Sequence, residues 1–71
     1  MADAATIRVN GQDEPLAAAT IAALIASKDI APGLKGVAVA RNGSVVPRAE
    51  WPTTFIAAGD VIEIVLARQG G

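Results

Sequence analysis

Polar and apolar residues alternate along Thr6-Ile7-Arg8-Val9, the two-residue period of a half-buried strand. Asn10-Gly11 follows, a strong short signal for a hairpin turn, and predicts a second strand returning through about Gln12 to Leu16. Pro15 has no N–H to give a ladder, which confines that strand to a sheet edge or puts Pro15 at its end. The period then changes. Ile21, Leu24 and Ile25 recur at i, i+3 and i+4, one face of a helix. Thr20 stands where its hydroxyl can accept from a first-turn N–H. Alanines at 22, 23 and 26 favour the helix, and Lys28 suits its negative pole. Pro32-Gly33 is read as the stop.

Beyond the helix the pattern returns to strands. Val37-Ala38-Val39-Ala40 is a third strand, Asn42-Gly43 a second hairpin turn, and Val45-Val46 a short fourth strand closed by Pro47. Arg48 to Pro52 reads as a turn or a piece of 3₁₀ helix carrying Trp51, which is expected to cover one edge of the core. Phe55 and Ile56 add apolar mass, with Phe55 expected in the core. Ala58-Gly59-Asp60 is a turn, since Asp bonds nearby N–H groups there. The last strand, Val61 to Leu66, is the most apolar, which suits a central position in the sheet. Its side chains alternate between faces: Ile62, Ile64 and Leu66 are assigned to the core, and Val61, Glu63 and Val65 to the other side. The order is β-β-α-β-β-β. One main helix lying across a mixed, mostly antiparallel sheet of four to five strands is an α+β solution.

Seventy-one residues form one small domain, spanning 1–71, of a size that buries only about 60% of its unfolded surface. At 52% hydrophobic the chain can build a core and is not of the disordered class. Six basic and seven acidic residues give a net charge of −1, without the basic patch that nucleic-acid binding needs. No apolar run reaches the length of a membrane span, and no basic and apolar leader opens the chain. Cysteine is absent, and a small secreted domain would usually need disulfides, so the expected home is the cytoplasm. His and Tyr are absent too, and the carboxylates are scattered. That removes a thiol nucleophile, the commonest general base and most transition-metal sites, and the chain is expected not to be an enzyme. No metal and no bound cofactor is expected.

What remains for chemistry is the main chain. The sequence closes on Gly70-Gly71 directly after the last strand. Small residues are common at frayed ends, and that reading stands beside a second one. In the second, the pair forms a thin stalk that can enter a narrow active site of another protein, with Gly70 free to take backbone angles closed to other residues. Ala67, Arg68, Gln69, Gly70 and Gly71 would span about 16 Å when extended. The α-carboxylate of Gly71, with a pKa near 3.5, would be ionised and nucleophilic at neutral pH. Arg68 either pairs with an acidic groove on a partner or is simply solvated.

Several strings together resemble one family. Val46-Pro47-Arg48-Ala49-Glu50-Trp51 is similar to the Val-Pro-Arg-x-x-Trp segment of the sulfur-carrier proteins of thiamine biosynthesis, the ThiS family. Gly59-Asp60-Val61-Ile62-Glu63-Ile64 resembles that family's run into its final strand, and Thr20-Ile21-Ala22-Ala23-Leu24-Ile25 its helix start. Arg68-Gln69-Gly70-Gly71 completes the likeness, which covers nearly all of the chain from Ile7 onward. A few extra residues precede the first strand, and Ile30 to Gly36 looks slightly long.

The resemblance implies a ubiquitin-like β-grasp fold with a tail, 67–71, that enters partner active sites. It implies that Gly71 is adenylated by an E1-like adenylyltransferase, which consumes ATP, and is then converted to a thiocarboxylate. The implied partners are that enzyme, a cysteine-derived sulfur donor and thiazole synthase, with the carrier a monomer when free. Three alternatives stay open: the small subunit of molybdopterin synthase, a ubiquitin-like protein modifier, and a β-grasp binding module with an incidental tail.

Overall fold

The computed structural model describes residues 5–30 and 35–66. The first hairpin joins β1 (Thr6–Val9) to β2 (Gln12–Pro15) in antiparallel register, with Val9 opposite Gln12. Asn10 and Gly11 both have positive φ, 51° and 83°, the backbone of a two-residue turn whose twist matches its strands. Asn42 and Gly43 repeat the pattern between β3 (Val37–Arg41) and β4 (Ser44–Val45). β2 ends at Pro15 rather than Leu16. β4 ends one residue before Val46, which turns inward and is buried.

The single α-helix, α1, spans Ile21–Ser27. Thr20 caps it as expected, its hydroxyl accepting from the Ala23 N–H at 3.2 Å. It stops earlier than Pro32-Gly33, which lie outside the described residues. Asp29 takes the left-handed conformation (φ 61°), its N–H donates to the Ala26 carbonyl, and the Ile30 N–H donates to the Ile25 carbonyl. This is a Schellman motif with Asp where Gly is usual. It folds Ile30 back against the core.

The five strands form one sheet in the order β2-β1-β5-β3-β4, with β5 (Val61–Leu66) in the centre as its apolar character requires. β5 runs parallel to β1 and antiparallel to β3, so the sheet is mixed. This is the ubiquitin-like β-grasp architecture. Ile7, Val9, Val39 and Ile62 face Ile21, Leu24 and Ile25 of α1 across the core.

Two assignments are corrected. Phe55 is 68% exposed. Its backbone bridges to Thr20, and it is the next residue, Ile56, whose side chain enters the core. Leu66 shares a face with Ile62 but is 51% exposed, whereas Ile62 is sealed. β5 simply runs on past the region that a helix ending at Ser27 can cover.

Candidate functional site

The expected site residues, Ala67, Arg68, Gln69, Gly70 and Gly71, lie outside the described residues. The structure gives the platform from which they leave, the end of β5. Of the two flanking strands, only β3 reaches that end. β3 pairs with β5 through Val37 opposite Leu66, and β1 pairs with it as far as Ile62.

Side chains then extend what the strands begin. The Asn10 N–H donates to the Ile62 carbonyl at 3.0 Å, and its amide continues the ladder. Oδ1 accepts from the Ile64 N–H at 2.8 Å, and Nδ2 donates to the Ile64 carbonyl at 3.3 Å. Asn10 thereby stands in for one more residue of β1. At the other end of β5, the Asn42 N–H donates to the Val61 carbonyl at 2.7 Å and Oδ1 accepts from the Val61 N–H at 2.9 Å. The sequence reading takes both Asn-Gly pairs as turns alone. Their second role had one signal in the sequence, the choice of Asn over Asp at each turn, since only an amide both donates and accepts.

Asp60 locks the turn that leads into β5. It is 7% exposed and accepts from Arg41 Nε at 2.7 Å, Asn42 Nδ2 at 3.1 Å and the Ala57 N–H at 2.8 Å. Burial pushes its carboxyl up, but the Ala57 N–H, the Asn42 amide and the Arg41 guanidinium outweigh that and hold it below the usual carboxylate range.

The Val-Pro-Arg-x-x-Trp string acts structurally. The Trp51 indole N–H donates to the Val46 carbonyl at 2.9 Å, and the Trp51 ring is buried. Arg48 lies over that ring with its guanidinium carbon 4.7 Å from the centroid.

Around the root of the tail, β5 presents different surfaces on its two faces. Val61 and Val65 are exposed on the side away from α1, together with Glu63, as expected. On the α1 side a groove of about 320 Å³ opens beside Ile64 and Leu66, with Val9 and Ile30 also in its lining. At its rim Lys28 Nζ donates to Glu14 Oε2 at 2.6 Å. Nothing in the periodic pattern announces this groove, because Glu14, Lys28 and Leu66 come from three separate elements. Among the described residues no group of three or more His, Cys, Asp or Glu could hold a metal ion, and no helix is long and apolar enough to cross a membrane.

A model of the ThiS family matches residues 7–71, the last strand and the tail included. Two solved structures are similar over most of the chain. One is a crystal structure of the thiamine biosynthesis protein ThiS from Geobacter metallireducens. It is 26% identical, with a TM-score of 0.74 over 93% of this chain and 99% of that one. The other is a solution structure of a thiamine biosynthesis protein from the same organism, with the same identity and TM-score, over 93% of this chain and 87% of that one. Comparison with curated proteins gives no match.

Proposed function

The chain belongs to the ThiS family, small sulfur carriers of thiamine biosynthesis, and from that membership we propose that the group it carries sulfur on is the Gly71 carboxylate. The observation that supports this most is the reach of the family match. It extends from Ile7 to Gly71, so the tail lies within the matched range.

The chemistry follows from the group. An ionised carboxylate oxygen of Gly71 attacks the α-phosphorus of ATP, and the bond to pyrophosphate breaks. The product is an acyl-adenylate, whose carbonyl carbon is now bonded to a good leaving group. A cysteine persulfide on the sulfur donor attacks that carbon through its terminal sulfur, and AMP departs with the electron pair. A second thiol then cleaves the resulting acyl disulfide, forming a disulfide with the donor cysteine and releasing the thiocarboxylate, the sulfur source for thiazole synthase. The catalytic groups for each step belong to the partners, an E1-like adenylyltransferase first among them. This chain supplies a nucleophile on a slender arm and a rigid body to hold it by. Ala67, Arg68 and Gln69 form the arm, and Gly70 lets it pass where a side chain would collide.

Deleting Gly71 tests the proposal. The deletion leaves a carboxylate on Gly70 but draws it back by about 3.5 Å. Reacting atoms must approach within about 3–3.5 Å, so the shortened arm falls short of the nucleotide. The variant is expected to keep its melting temperature and lose ATP–pyrophosphate exchange with the cognate activating enzyme. Exchange at the wild-type rate would contradict the proposal.

A further inference from the structure

We propose that Asn42 is a modification site: the folded chain deamidates there in preference to Asn10, and the acid so formed keeps the turn between β3 and β4 from closing on β5. The chain has two asparagines, and both stand before a glycine. Asparagine is a thermolabile residue. A glycine after it, with no side chain in the way, lets its nitrogen reach the asparagine side-chain carbon and close a succinimide ring. Both turns project into solvent, since a Cβ built on Gly11 or Gly43 would meet nothing within 4 Å. Water therefore has access to the ring.

The reaction balances with water as the co-reactant. The Gly43 nitrogen gives its proton to solvent and attacks Cγ of Asn42. The Cγ–Nδ2 bond breaks, and ammonia leaves after taking a proton back from solvent. Water then adds to one of the ring carbonyls. Opening at Cγ gives aspartate. Opening at the main-chain carbon gives isoaspartate, with the chain now running through the former side chain.

In the closed turns both amides are engaged elsewhere. Asn42 Oδ1 accepts from the Val61 N–H and Nδ2 donates to Asp60, while Asn10 holds Ile64 through both atoms. Ring closure rotates the peptide between Asn and Gly, so the strand after the glycine must first leave its partner. For Asn42 that strand is β4, and for Asn10 it is β2. β4 is joined by two residue pairs, Ala40 with Val45 and Arg41 with Ser44, and both its side chains are exposed. β2 is joined by four, from Thr6 with Pro15 to Val9 with Gln12. It is also tied by Asp13 to Arg8 and by Glu14 to Lys28 at the end of α1. Short ladders that cover little apolar surface open first. Asn42 is therefore released more often than Asn10.

The product cannot return to the same place. Asp60 is buried and accepts from Asn42 Nδ2 at 3.1 Å. A carboxylate at position 42 has no N–H to give, and it sets a second negative charge against the first. The Arg41 guanidinium, already bonded to Asp60 Oδ2, would then be one cation between two anions. Asn10 differs. An acid at that position still accepts from the Ile64 N–H, and it otherwise faces a carbonyl and not a charge.

The test is to hold the whole folded chain in buffered heavy-oxygen water and map its peptides by mass spectrometry over time. Each hydrolysed ring takes up one heavy oxygen, which separates deamidation in the incubation from deamidation in handling. Asn42 is expected to deamidate about tenfold faster than Asn10, roughly the factor that the extra ladder bonds of β2 supply. In guanidinium chloride that unfolds the chain, the two rates are expected to agree within about twofold. Equal rates in the folded chain, a faster Asn10, or no deamidation of the folded chain would overturn the proposal. So would a preference for Asn42 that survives in guanidinium chloride, because it would belong to the neighbouring residues and not to the fold. The consequence is read from melting curves: Asn42→Asp is expected to lower the melting temperature further than Asn10→Asp, and equal shifts would overturn that half. The rates are measured on the unaltered chain, so they decide the site even if Asn42→Asp does not fold. Neither measurement depends on Gly71 carrying sulfur.

Discussion

Asp60 joins two turns that are distant in sequence, since its partners are Arg41 and Asn42 on one side and Ala57 on the other. Because its carboxyl is held below the usual range, the charged form is the one that stabilises the fold. That contribution is fully present above the unfolded pKa of about 3.9 and is lost as pH falls through the lower folded value. Asp60→Asn is expected to cost roughly 1–3 kcal/mol at neutral pH and to flatten the decline in melting temperature as pH falls below about 4. An acid limb as steep as the wild type's would show that other carboxylates govern it. Two neighbours on one face of β5 allow a second test. Ile62→Ala should cost about 2–5 kcal/mol, because Ile62 is fully enclosed. Leu66→Ala should cost only about 1 kcal/mol, because half of Leu66 already meets water. Equal losses in a denaturant titration would mean that the groove is closed in solution.

Strands, turns and the start of the helix were legible because each rests on local chemistry: alternation in Thr6–Val9, positive φ at Asn-Gly, a hydroxyl at Thr20. The end of the helix was not. Asp29 adopts a conformation for which glycine is the usual signal, so the sequence points to Pro32-Gly33 instead. Phe55 was misplaced because apolarity reports a preference for burial and not the direction of a side chain, which the bridge to Thr20 sets. The choice of Asn over Asp hints at the Asn10 clamp but does not give its partner, since that depends on the register of residues 54 positions apart. Asn10→Gly isolates it. Glycine keeps the positive φ of the turn while removing both hydrogen bonds to Ile64. The expected loss is about 1–2 kcal/mol, with hydrogen exchange at the Ile64 amide accelerated more than at Val39 in the core. Unchanged protection at Ile64 would show that the clamp is dispensable.

For the whole molecule, the architecture places its central strand directly before the tail on which the chemistry is proposed. β5 lies between β1 and β3, is clamped at Val61 and Ile64 by two asparagines and led in by Asp60, and at Leu66 is paired with Val37 alone. The recognisable strings divide accordingly. Val-Pro-Arg-x-x-Trp and Gly-Asp secure the body, through the Trp51 indole and the Asp60 carboxylate. The proposed chemistry falls on the tail, which lies outside the described residues, and its choice as a site rests on the absence of His, Cys and Tyr from the sequence. The most direct test of that claim is the intact mass of the protein recovered from its own cells, followed by fragmentation. The account predicts a fraction in which one oxygen is replaced by sulfur, with the change confined to Gly71. A carrier population that shows no such exchange while thiamine is being made, or sulfur on any other residue, would contradict it.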